Sequence, residues 1–309
     1  MASNKIGSFD VFLMLCLIIF WGSSFVVVKA LILQGLTPIA IATFRFLIAG
    51  ALFLIALIIR KVANPQSQVL IERKDLLMIV GLSLVGVTFF FIAQYVGIEL
   101  ADASVAAILV CFLSPILITL LSARIFNEHL KRNQFLGIAV AGFGTLVVIT
   151  GGSMNFGSNN PTFLVGSLIL LSTPILWALY TLGGKKLTEK YSPFLLVAYV
   201  SMLGGLFLVP FSLAENSLNE ILNLNLHSWA AIIYLSVACS FIGYLIWFRV
   251  ISRVKAAVAS SFLFAEPIVT VLFAMAFIGE NMTPLILLGG ILIFIGLIFI
   301  TRKGGPTKA

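Results

Sequence analysis

The chain has 309 residues, 61% of them hydrophobic and only 10% charged, with a mean hydropathy of +1.17. That ratio suits lipid as the solvent and excludes an ordinary soluble domain. The formal charge of +8 does not point to a nucleic-acid partner, because the basic residues sit in short loops between apolar runs.

The first apolar run, residues 11–33, is too long for the apolar region of a secretory signal and lacks a small-residue cleavage site after it. It reads as the first of ten transmembrane helices. The ten run over 11–33, 38–59, 75–98, 103–126, 133–150, 162–182, 193–212, 228–249, 255–278 and 284–301, each near the ~20 residues that cross a bilayer core. Pro38, Pro193 and Pro284 open three of them, where a missing N–H costs nothing. The longest connections, 60–74, 151–161 and 213–227, are rich in turn-forming residues.

With the N-terminus in the cytoplasm, 17 of the 19 Lys and Arg residues fall in cytoplasmic segments, as the positive-inside rule requires. The opposite loops hold Glu99, Asp102, Glu215, Glu220 and Glu280 and no basic residue. Only Lys29 and Arg45 remain inside helices.

Aligned on itself at an offset of 152, the chain matches Pro115 with Pro267, Glu128 with Glu280, Gly137 with Gly289 and Gly144 with Gly296. Five crossings per copy force the second copy to lie upside down relative to the first. The expected fold is therefore an all-α polytopic membrane protein of ten transmembrane helices. It comprises two inverted five-helix repeats, residues 1–151 and 162–303, with both termini cytoplasmic. Inverted repeats build a substrate site at the membrane midplane that opens to either side.

Several strings carry a family resemblance. Phe20-Trp21-Gly22-Ser23-Ser24-Phe25 followed by Lys29, and Thr43-Phe44-Arg45-Phe46-Leu47-Ile48-Ala49-Gly50, resemble the first two helices of the EamA-like branch of the drug/metabolite transporter superfamily. Ser114-Pro115 running to Phe126-Asn127-Glu128, and Glu266-Pro267 running to Ile278-Gly279-Glu280, resemble the end of its repeat. The resemblance spans residues 11 to 301 and implies a transporter fold. Its ten-helix members export amino acids and other metabolites, while other members carry drugs, nucleotide-sugars or sugar phosphates.

The candidate site residues follow from depth and polarity. Trp21 and Ser24 in the first helix have an echo in Trp177 and Tyr180 of the sixth. Lys29 lies nearer the end of its helix and can reach water. Arg45, seven residues after Pro38, lies about 10 Å below the membrane edge at ~1.5 Å per residue. Its guanidinium can fork onto a carboxylate or phosphate, or can pair permanently with an internal acid. Thr88, Phe91, Tyr95 and Glu99 share one helix face, and Ser240, Gly243, Trp247 and Ile251 the equivalent face. Aromatic residues there line a cavity, or, for Trp247 beside Arg249, form an interface belt. Glu266 sits near the midplane, where a charge costs about 2.5–3.5 kcal/mol or more. It is a candidate proton carrier or substrate contact, the structural alternative being an ion pair with Arg45 or Lys29.

Pro115, Pro174 and Pro267 are candidate flex points. The glycines of the fifth and tenth helices suit close packing, either within the chain or between copies. Glu128 and Glu280 are expected to serve the helix that each precedes, through its dipole.

Cys16, Cys111 and Cys239 are scattered, and His129 and His227 lie far apart. No disulfide, metal site, catalytic residue or cofactor is expected. No G-x-x-x-x-G-K-S/T string is present, so energy must come from a gradient. The reading is a secondary transporter in the cell's cytoplasmic membrane, exporting small polar metabolites such as amino acids by alternating access, with proton coupling as an option. The alternative is an uptake carrier or exchanger for phosphorylated or nucleotide-linked compounds. Its partners are the small-molecule substrate and the bilayer, with a monomer as the default and a dimer open.

Overall fold

The computed structural model describes residues 7–125, 132–149, 161–254 and 256–301, and these are overwhelmingly helical. Among the described residues, eight helices are long and apolar enough to span a membrane. They are α1 (Ser8–Leu33), α2 (Pro38–Ala63), α3 (Arg73–Leu100), α4 (Ala103–Ile125), α6 (Pro161–Leu187), α7 (Pro193–Ala214), α8 (Leu226–Arg253) and α9 (Val258–Ile278). The last helix of each half, α5 (Arg132–Ile149) and α10 (Pro284–Thr301), has 18 residues. At ~1.5 Å per residue that is about 27 Å, close to the hydrocarbon thickness. The protein is a multi-pass membrane protein. Glu128 and the Phe126-Asn127 string before it lie outside the described residues.

The neighbour pattern repeats between the halves. Helix α1 packs on α8 and α9, and α6 on α3 and α4; α2 pairs with α7, α4 with α9, and α5 with α10. Exchanging each helix for the one five places along leaves that pattern unchanged. The equivalent helices α3 and α8 share a local irregularity too, a π-wound stretch at Leu84–Phe89 and at Leu235–Ile242.

Glycines set the closest approach, and they do so within the chain. A Cβ on Gly144 would lie 2.6 Å from the Gly289 carbonyl, and a Cβ on Gly296 2.5 Å from that of Gly137. The two contacts are the same contact seen from each half. Of the two packings open in sequence, the intramolecular one is built. Gly142, by contrast, would place a Cβ in open space. Gly296→Leu is expected to destabilise the protein by about 1–3 kcal/mol or more, with Gly142→Leu nearly silent. Thermal unfolding in detergent reads both, and equal melting points would contradict the seam.

Some helix ends are satisfied by polar side chains reaching across from other parts of the chain. Glu280 accepts from the Ala103 N–H (2.8 Å), the Ser104 N–H (3.1 Å) and the Ser104 hydroxyl (2.7 Å). It therefore serves the N-terminus of α4 rather than that of α10, the helix it precedes, which corrects the sequence expectation. Glu220 accepts from the Thr37 N–H at 2.9 Å at the start of α2. Asp10 pairs with Arg249 (3.1 Å) and Arg253 (3.3 Å), joining the start of α1 to the end of α8. Those part-exposed pairs are worth about 1 kcal/mol at most.

Candidate functional site

Helices α1, α2, α3, α4, α6, α8 and α9 line a cavity of about 40 Å³ between the halves. That is room for a few waters, not for a metabolite. Five of the sequence candidates line it, namely Trp21, Ser24, Arg45, Trp177 and Glu266. Tyr95, Tyr180 and Trp247 are buried outside its lining, and Lys29 lies elsewhere.

Arg45 is 2% exposed and flanked on its helix by the fully buried Ala42 and Ala49, so its face of α2 turns to protein. Its Nε donates to the Ser240 hydroxyl at 2.6 Å and its Nη1 to the Tyr95 hydroxyl at 2.5 Å. The guanidinium carbon lies 4.7 Å from the Phe91 ring centroid, a contact worth about 2 kcal/mol when dry. Among the described residues no carboxylate comes within 4.0 Å of it. The ion pair between Arg45 and Glu266, the structural alternative left open by the sequence, is absent among the described residues. Neutral hydroxyls orient the fork through Nε and Nη1.

Glu266 is equally solitary. It is 3% exposed, and its Oε2 accepts from the Cys111 thiol at 3.2 Å while Oε1 has no hydrogen-bond partner among the described residues. Buried polar atoms are nearly always satisfied, so an orphan facing a cavity calls for a reason. The backbone around it is fastened to α1. Thr270 donates to the Gly22 carbonyl at 2.7 Å, and a Cβ on Gly22 would come within 3.0 Å of the Glu266 carbonyl. The Trp21-Gly22-Ser23-Ser24 string is thus the close-packed partner of the Glu266 segment.

The remaining polar groups divide the wall. Ser24 donates to the Trp21 carbonyl (2.6 Å) and Ser114 to the Val110 carbonyl (2.5 Å). With their protons used on their own helices, both hydroxyls offer the cavity only lone pairs. Together with Glu266 Oε1 they form an acceptor side. The donor side is Arg45 with Gln94, whose side chain also lines the cavity. Sequence reasoning missed Gln94, whose signal was an isolated amide deep in an apolar span.

Aromatic rings make the rest. Trp21, Trp177 and Trp247 stand 5.3 to 5.7 Å apart, with Tyr244 at 5.6 Å from Trp21. The Trp21 indole donates to the Cys239 carbonyl at 2.9 Å, within the π-wound stretch, where the regular helical ladder is interrupted. Trp177 Nε1, Trp247 Nε1 and the Tyr180 hydroxyl are buried with no hydrogen-bond partner among the described residues. Trp247 is fully buried, so it belongs to this cluster and not to an interface belt. Tyr244, one turn before it, and Phe90 are cavity residues that sequence reading passed over.

The proline candidates separate. Pro174 follows a turn at Leu171–Ser172 that breaks α6, and Pro267 follows a 3-10 stretch at Ser261–Ala265. Pro115 sits in uninterrupted α-helix. Lys29 donates to main-chain carbonyls at the end of α3 and takes no part in the cavity wall.

The EamA-like transporter family matches residues 8–150 and again residues 164–302. An uncharacterized transporter of Archaeoglobus fulgidus is 29% identical over 92% of this chain and 95% of its own length. A probable amino-acid metabolite efflux pump of Salmonella typhimurium is 27% identical over 93% of each chain. A probable terminal-alkyne amino-acid exporter of Streptantibioticus cattleyicolor is 24% identical over 93% of this chain and 91% of its own. One solved crystal structure superposes with a TM-score of 0.64 at 18% identity, covering 95% of this chain and 97% of that one, a likeness of fold. With both halves matched in turn, the chain belongs to the EamA-like transporter family.

Proposed function

We propose that the protein is a secondary active exporter of small zwitterionic metabolites, amino acids with apolar or aromatic side chains foremost. It works by alternating access of two inverted halves across the cytoplasmic membrane, with both termini in the cytoplasm. One observation carries this reading. Arg45, an unpaired guanidinium, and Glu266, a carboxyl with a free oxygen, line the same cavity without being each other's partner. Arg45 and Gln94 suit a carboxylate, the acceptor side suits an ammonium, and the aromatic cluster suits an apolar side chain. The amino-acid efflux named for two relatives agrees. Glu266 is the group available to carry a proton.

Lys29 bears on the alternative. A phosphorylated cargo wants two or more cationic anchors, and Lys29 is committed to carbonyls. One cation facing one acid balances a zwitterion better than a dianion. The test is efflux from proteoliposomes loaded with a panel of amino acids, with and without a pH gradient. Saturable efflux of apolar amino acids that responds to the gradient is expected. Flux that rises linearly with concentration would instead indicate a channel.

A further inference from the structure

Lys29 and Lys185 do the same thing at two ends of the molecule. Near the end of α1, the Lys29 ammonium donates to the carbonyls of Ile98 (2.8 Å), Glu99 (3.3 Å) and Ala101 (2.7 Å), where α3 ends and the turn to α4 begins. In the last turn of α6, Lys185 donates to Ile251 (2.5 Å) and Val254 (2.6 Å), where α8 ends and the turn to α9 begins. Both side chains are half-buried, and neither has a carboxylate within 4.0 Å among the described residues. Each lysine follows a cavity tryptophan, Trp21 or Trp177, at the same spacing, so the two are equivalents between the halves.

The last carbonyls of a helix are orphan acceptors with partial negative charge, and an ammonium is their natural cap. These two caps reach across from another helix. Each therefore ties the end of α1 or α6 to the turn that starts α4 or α9. Helix α4 brings Cys111 and Ser114 to the cavity, and α9 brings Glu266. Five crossings separate Lys29 from Lys185, which places the caps at opposite membrane faces. The cavity of about 40 Å³ has to widen toward one face or the other before a metabolite enters.

We propose that Lys29 and Lys185 are paired gate latches. Each ammonium, while it caps its carbonyls, keeps the cavity shut toward its own membrane face. Opening to that face requires that latch, and not the other, to release. A released lysine extends to the aqueous boundary, where its charge is hydrated. The proposal rests on the alternating-access reading above, but its test needs no substrate.

The reporter is Cys111, kept as the single thiol after Cys16→Ser and Cys239→Ala. A membrane-impermeant thiosulfonate is applied to right-side-out and to inverted vesicles. Lys29→Met is expected to raise Cys111 modification about fivefold or more from the Lys29 face alone, the scale of a shift toward a minor open state. Lys185→Met should do so from the opposite face alone. Lys29→Arg and Lys185→Arg, which keep a cationic cap, should stay near the parent rate. Should a Met variant fail to reach the membrane, Lys29→Gln and Lys185→Gln must obey the same face rule. Modification rising from the same face in both variants, from both faces at once, or in neither would overturn the latches. If the face rule holds while no amino acid is transported, the export reading falls and the latches stand.

Discussion

Arg45→Gln is expected to lower kcat/KM for zwitterionic cargo about 10- to 150-fold while leaving the folded protein at least as stable as wild type. The transport loss follows from removing a charge-assisted fork, worth about 1.5–3 kcal/mol when its acceptor is charged. The stability follows from the same geometry read the other way. Arg45 is buried against Tyr95, Ser240 and the Phe91 face, with no carboxylate at hand. Burying an unpaired charge costs folding free energy, so its removal relieves a penalty that offsets the lost hydrogen bonds. An arginine kept for structure would give the opposite pattern, full transport per folded molecule with a lower melting point. Arg45→Lys should not restore transport, because one ammonium cannot hold Tyr95 and Ser240 and still present a planar fork. Initial rates in proteoliposomes, normalised to folded protein, together with detergent melts, separate these outcomes.

Glu266→Gln is expected to sever transport from the pH gradient while sparing downhill exchange. For one proton per cycle, a gradient of one pH unit is worth about 1.4 kcal/mol, or roughly tenfold accumulation. The wild type should approach that ratio and Glu266→Gln should stay near one. Gln preserves the volume at the α1–α9 contact, and that contact is fastened through Thr270 and Gly22 rather than through the carboxyl. Exchange of labelled for unlabelled cargo should therefore continue. A variant that still accumulates tenfold would remove Glu266 from coupling. Loss of exchange as well as accumulation would show that the ammonium needs the charge of Glu266 and not the acceptor oxygen that Gln keeps.

Much of the fold was legible because lipid writes hydropathy plainly. Apolar runs of about 20 residues, with basic loops between them, leave few alternatives. The same logic exposed Glu266 and Arg45, since a charge deep in an apolar run stands out without knowledge of its neighbours. What could not be read was pairing. Whether Arg45 meets Glu266, or instead Tyr95 and Ser240, depends on how α2, α3, α8 and α9 are rotated, and a π-wound turn in α3 and α8 shifts that rotation with no mark in composition. Trp247 shows the same limit. Beside Arg249 in sequence it resembles an interface residue, yet the rotation of α8 carries it into the aromatic core.

The repeat was legible only in part. An offset of 152 aligns the later helices, but Pro38 and Gly50 meet Pro193 and Gly205 at 155, while Trp21 and Lys29 meet Trp177 and Lys185 at 156. Small loop insertions moved the register of the first helices, so Lys185 looked like one more basic loop residue. Its three-dimensional equivalence to Lys29 emerges from the carbonyls each one caps.

Competition shows whether one cavity binds both charges of a zwitterion. Efflux of a labelled apolar amino acid is measured against the unlabelled amino acid, its decarboxylated amine and its deaminated acid. The intact amino acid should compete at least tenfold better than either half, since each half leaves Arg45 or Glu266 without its partner, a cost of about 1.4 kcal/mol or more. Equal competition by the amine would contradict the role of Arg45, and equal competition by the acid would contradict that of the acceptor side.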